Sequence, residues 1–198
     1  LEALSPFKIV TLDASDEQSV LEAARQLEGI PIDLVINNAG IGIYTTFATV
    51  TKESFMKPFE VNVVGPFFVT RALLPNLQLA AKNHGTAFVL QVSSLLGSLA
   101  SNTPANAQTF QGQYGYCASK AALNMVTRSL AVDLREHNVA VVAVNPGYVD
   151  TDMTAGNGIL KPADVVASMD KIVSALTLED TGKFFDADPQ NPSGKLPW

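Results

Sequence analysis

Two hydrophobic rhythms alternate along this chain. Short, nearly continuous apolar runs occur at 7–12 (FKIVTL), 32–40 (IDLVINNAG), 86–94 (TAFVLQVSS) and 139–147 (VAVVAVNPG), with a brief GKFFDA at 182–187. Runs of that length, rich in β-branched residues, predict strands. Between them, 16–29, 51–82, 113–137 and 162–177 carry apolar residues at helical spacing. The first of these helices opens on acids and stops at Gly29; the second starts from a Thr51 cap, and Pro58, Pro66 and Pro75 must kink or divide it. Residues 98–113 form a long polar loop between a strand and a helix.

Strand and helix alternate throughout, and the strands are apolar on both faces. This predicts an α/β domain over 1–198 with a parallel sheet covered by helices on both sides. In such sheets a ligand lies beyond the carboxyl ends of the strands. Small, amide or hydroxyl residues follow each apolar run: Asp13 and Ala14; Asn37, Asn38, Ala39 and Gly40; Ser93 and Ser94; Asn145, Pro146 and Gly147. The repetition at four ends marks that edge as the place to look for chemistry.

Composition narrows the classes. The 198 residues are 47% hydrophobic and 16% charged, enough for a substantial core, and no apolar run reaches the length of a membrane span. A formal charge of −6 argues against a nucleic-acid binder. A single cysteine, Cys117, allows no internal disulfide and no metal-ligand spacing, so a reducing, cytoplasmic setting without a metal is expected. Between Glu60 and Asp133 there is no acid, only Arg71, Lys82, Lys120 and Arg128. That block reads as core and subunit interface, a reading compatible with a site for a phosphorylated cofactor.

Candidate chemistry concentrates in QYGYCASKAALNM, 113–125. On a helix Tyr116 and Lys120 share a face at i and i+4, whereas Tyr114 and Lys120, six apart, do not. An ammonium beside a phenol favours the phenolate and is expected to lower the Tyr116 pKa. A tyrosine so tuned can exchange a proton with a carbonyl or alcohol oxygen, and a strand-end hydroxyl such as Ser94 could hold that oxygen. His84 and His137, in KNHG and REHN, read as solvated helix-end residues, and Cys117 as a buried or interface residue.

Taken together, NNAG (37–40), VNVVGPF (61–67), VSSLLGS (92–98), YCASK (116–120) and NPGYVDTDM (145–153) resemble the short-chain dehydrogenase/reductases in order and spacing. The likeness is strongest to carbonyl reductases of the Sniffer and C-factor type, through NMVTRSLAVDL, PGYVDTDM and the tail GKFFDADPQNPSGKLPW. It implies a Rossmann-type, doubly wound fold and hydride transfer between a nicotinamide cofactor and a small carbonyl or alcohol substrate, with NADP(H) favoured and NAD(H) possible. Tyr116 would be the acid/base, Lys120 its partner and a ribose ligand, Ser94 rather than Ser93 the holder of the substrate oxygen, and Asn62 the anchor of a proton-relay water. Asp13 and Ala14 would approach the adenine, Asn38, Ala39 and Gly40 line the cofactor wall, and Pro146, Gly147, Val149 and Thr151 lie along the nicotinamide. A homodimer or homotetramer through the helices at 51–82 and 113–137 is also implied. A cofactor-poor signalling or scaffold protein of the C-factor kind is the alternative.

Two departures from the family pattern stand out. The serine lies 22 residues before the tyrosine, against roughly thirteen in the family, and the surplus falls in the 98–113 loop, where it would reshape the substrate pocket. The opening strand, TGxxxGxG turn, helix and second strand find no match here, so the expectation is a longer protein whose beginning precedes Leu1. In the family strand order 3-2-1-4-5-6-7, the runs at 7–12 and 32–37 then lack their neighbours.

Overall fold

The computed structural model describes residues 2–191 and 194–198; Pro192 and Ser193 of the tail motif lie outside the described residues. Helix α1 (Glu17–Arg25) starts at Asp16, whose side chain accepts from the Gln18 amide, and leads to strand β1 (Leu34–Asn37). Helix α2 (Lys52–Phe59) begins in a capping box in which Thr51 and Ser54 satisfy each other's backbone amides. A π-turn at Glu60–Val64 follows, and then α3 (Gly65–Ala72) and α4 (Leu74–His84). Pro66 and Pro75 sit in the first turns of α3 and α4, where no donor is needed, while Pro58 lies inside α2 immediately before the π-turn. Strand β2 (Ala87–Val92), a short α5 (Ala107–Phe110), α6 (Tyr114–Asp133), β3 (Val139–Asn145), α7 (Pro162–Ser174) and β4 (Phe184–Asp186) complete the order.

The four strands pair in parallel in the order β1-β2-β3-β4. One face is covered by α1, α3, α4 and the later part of α6, which bury Val20, Val69, Leu77, Leu130 and Leu134 against Val35, Val89 and Val141. On the other face α7 packs Met169, Ile172 and Val173 on Leu90, Val92, Val142 and Val144. All seven residues of β3 are buried, which is why that strand reads as an unbroken apolar run. The α/β architecture with a parallel, doubly covered sheet is the one the sequence predicts.

One element differs. Residues 7–12, expected as a strand, form none: Phe7 is 87% and Ile9 50% exposed. A strand exists only as part of a ladder, and β1 pairs on one side, with β2, so β propensity at 7–12 meets no partner there. The segment reaches a turn in which the Asp16 amide donates to the Asp13 carbonyl. The polar 98–113 loop also holds more structure than expected, a 3-10 turn at Pro104–Asn106 running into α5.

Beneath the sheet's carboxyl edge, Gln91 is fully buried, and neither its Nε2 nor its Oε1 finds a partner among the described residues. An unsatisfied buried amide costs about 1–3 kcal/mol. Gln91→Met, of similar shape and without polar atoms, is expected to raise the unfolding free energy by about 1 kcal/mol in urea melts. A loss of stability would show that the amide is satisfied inside the core.

Candidate active site

The carboxyl edge of the sheet gathers four segments around α6. Lys120 lies on its buried stripe with Ser119, Leu123, Asn124 and Thr127, and the partly buried Tyr116 stands one turn before it. The Lys120 ammonium donates to the Val92 carbonyl at 2.8 Å and lies 5.7 Å from the centre of the Tyr116 ring. Burial alone lowers its pKa to about 8. The turn after β2 runs so close to α6 that a Cβ on Gly97 would stand 2.7 Å from the Lys120 backbone, which makes glycine necessary there.

That turn carries the two serines, and the structure gives them different surroundings. Ser93 is buried and donates to Asn124 Oδ1 at 2.6 Å. Ser94 faces Tyr116 across the turn. Burial pushes the Tyr116 phenol above its ordinary range, and the nearby Ser94 hydroxyl pulls it partly back. This corrects the expectation that Lys120 lowers Tyr116. The ammonium is held by a backbone carbonyl, and desolvation of the phenolate outweighs it. Tyr114 is half exposed and packs edge-on against Phe47, away from the cluster. Cys117 is partly buried, and burial drives its thiol up to about 11, so it is no ready nucleophile.

Asn62, fully buried, projects from the π-turn, a local widening common at functional sites. Its Oδ1 accepts from the Ile41 amide at 2.8 Å. Its Nδ2 donates to the Ile41 carbonyl at 2.9 Å and to Ser119 Oγ at 3.0 Å, and Ser119 in turn donates to the Tyr116 carbonyl. Asn62 therefore clamps the chain after β1 onto α6 through its side chain. Gly40 fits beside this clamp, where an added Cβ would lie 3.3 Å from Asn62 Oδ1 and 3.6 Å from Lys120 Nζ.

At the other end of the edge, Leu12, Ala14, Ile36, Asn38, Ala39 and Pro66 help to line a cleft of about 170 Å³. Asp13 stands beside it on an exposed turn, accepting from the Ser15 hydroxyl and amide, which holds its carboxyl below the usual range. Asn38 and Ala39 are exposed, whereas Asn37 is buried and bonded to Thr70. Pro146 and Gly147 leave β3 at the same edge, and the chain doubles back so that Val149 bridges Leu160. Thr151 caps a 3-10 turn in a reciprocal box with Thr154. A larger cavity of about 350 Å³, beside α7 and β4, contains none of these residues.

Ser119, Asn124 and Asp186 went unnoticed in the sequence, and Asn145 was read only as a strand-end residue, without its partner. For the first two a signal existed, since polar residues three and eight positions after Tyr116 fall on the buried stripe of α6. No spacing links Asn145 to Asp186; they meet across neighbouring strands.

Comparison with known proteins agrees with this geometry. A family model described as short chain dehydrogenase matches residues 1–158. C-signal of Myxococcus xanthus is 37% identical over 169 residues, covering 85% of this chain and 93% of that protein. An NADPH-bound carbonyl reductase from chicken fatty liver superposes with a TM-score of 0.81 at 32% identity, over 96% of this chain and 77% of its own. The carbonyl reductase Sniffer of D. melanogaster does so with a TM-score of 0.86 at 29% identity, again over 96% and 77%.

Proposed function

Because this chain belongs to the short-chain dehydrogenase family, and is thereby an oxidoreductase linked to a nicotinamide cofactor, we propose that it reduces the carbonyl group of a small molecule using NADPH. The observation that carries this reading is the approach of the Ser94 hydroxyl to the Tyr116 phenol, one helical turn from the buried Lys120 ammonium. Those groups supply a proton, a second oxygen ligand and a positive charge, the set that reduction of a carbonyl needs.

The residues present suit the adenine and ribose of the cofactor. The cleft of about 170 Å³ next to Asp13 has apolar walls and the Asn38 amide, a surface for a flat heteroaromatic ring. The Lys120 ammonium, near Gly40, would meet ribose hydroxyls. When bound, the dinucleotide supplies a hydride to the carbonyl carbon. Ser94 and Tyr116 hold the carbonyl oxygen between their hydroxyls. Tyr116, kept neutral by its burial, is a proton donor at pH 7 and passes its proton to that oxygen as the alcohol forms. Lys120 then stabilises the phenolate left behind until solvent returns a proton. Asn62 keeps Gly40 and Ile41 against the helix that carries both groups.

The preference for NADP(H) takes its support from the NADPH-bound carbonyl reductase. A signalling or scaffold role with little cofactor binding takes its support from the 37% identity to C-signal. Titrating the full-length protein with NADPH and following quenching of the cofactor fluorescence separates the two readings. Saturable binding in the micromolar range, with turnover of a reactive diketone such as phenanthrenequinone, is expected of the reductase. Absence of binding would hand the lead to the scaffold.

A further inference from the structure

We propose that Asp186, at the end of β4, positions Ser94 by orienting the Asn145 amide that holds the backbone beside it; this rests on the assignment of Ser94 to the reacting site. Asn145 and Asp186 are register neighbours at the ends of β3 and β4, both buried. Asn145 Nδ2 donates to Asp186 Oδ1 at 2.8 Å, and Asn145 Oδ1 accepts from the Leu95 amide at 2.9 Å. Leu95 is the residue immediately after Ser94.

The direction of these bonds follows from donor and acceptor chemistry. An ionised carboxylate can only accept, so it draws the amide NH₂ of Asn145 toward itself and leaves the amide oxygen facing the Leu95 N–H. Without Asp186, Asn145 could turn over and present a donor to a donor. Asp186 is fixed in its turn by the Asp188 amide at 3.1 Å and by the Asn191 side chain, which also bonds it. On the opposite side of the same turn, Asn124 holds Ser93 at 2.6 Å and the Gly97 carbonyl at 3.0 Å. Ser94 itself accepts from the Leu96 amide at 3.2 Å, so its hydroxyl is tied to the backbone that Asn145 grips. The last strand of the sheet thereby reaches Ser94 without touching substrate.

Asn145→Asp sets a new carboxylate against Asp186 and is expected to break the hold by like-charge repulsion. Adding Asp186→Asn restores it, because the new carboxylate accepts from both Leu95 N–H and the new amide. Hydrogen exchange of the Leu95 amide, followed by NMR, should quicken by about tenfold or more in the single variant and recover in the double variant. The kcat for phenanthrenequinone reduction should fall and recover in parallel, by about tenfold, with the NADPH KM within about twofold throughout. In a Ser94→Ala background, Asn145→Asp should change kcat by no more than about twofold, since the group it positions is gone. Unchanged Leu95 exchange, failure of the double variant to recover it, or a full additional loss of kcat without Ser94 would each overturn the proposal. Undiminished turnover in Ser94→Ala alone would instead overturn the assignment of Ser94, while Leu95 exchange would still decide whether Asp186 and Asn145 hold the turn.

Discussion

Tyr116→Phe is expected to cut kcat for NADPH-dependent reduction of phenanthrenequinone by about 10²–10⁴-fold, the range general acid catalysis contributes. The substitution removes one hydroxyl and keeps the ring, which stands so near Gly42 that a Cβ added there would lie 3.5 Å from Tyr116 Cδ2. NADPH binding and the unfolding transition should stay close to those of the parent protein. Tyr114→Phe is the control: Tyr114 is half exposed and meets Phe47 through its ring, so kcat should stay within about twofold. If Tyr116→Phe keeps more than about a tenth of the parent kcat, the proton comes from elsewhere.

The Tyr116–Lys120 pairing was legible in the sequence because a helix converts spacing into proximity. Tyr116 and Lys120 at i and i+4 needed no tertiary information to be placed together, and Tyr114 could be set aside on the same ground. The sheet was legible for a related reason: strands covered on both faces leave runs such as Val139–Asn145, with no polar alternation to confuse with a helix. Where the reading failed, the deciding term was non-local. Residues 7–12 have a strand's composition, but a strand is a property of two segments, and the ladder beside β1 holds only β2. The Tyr116 pKa failed likewise, because sequence shows the nearby ammonium and hides both the desolvation of the phenol and the Val92 carbonyl that takes up the ammonium. Asn145 and Asp186, 41 residues apart, meet only through the order of β3 and β4.

Lys120→Met is expected to separate stability from activity, in opposite directions and with a pH signature. Burial depresses the Lys120 pKa from 10.5 to about 8. Below about pH 8 the lysine is charged in both the folded and the unfolded chain, so the folded state carries the whole cost of burying an ammonium. Between about 8 and 10.5 the folded lysine is already neutral while the unfolded one still holds its proton. Raising the pH through that window therefore stabilises the parent protein, by about 3 kcal/mol at order of magnitude. The methionine variant has no such group and should show no matching rise. Its loss is the hydrogen bond to the Val92 carbonyl, worth about 1–2 kcal/mol. At pH 7 the variant should thus be the more stable protein by about 1–2 kcal/mol, and near pH 10.5 the less stable. Its kcat should fall by about 10²-fold or more, because the phenolate formed at Tyr116 loses the positive charge beside it. Denaturant titrations of both proteins across pH 7–10.5, taken as a difference so that shared groups cancel, read the crossover directly. A stability difference that does not change with pH would mean that Lys120 is not buried as a cation, and the electrostatic account of this site would fall with it.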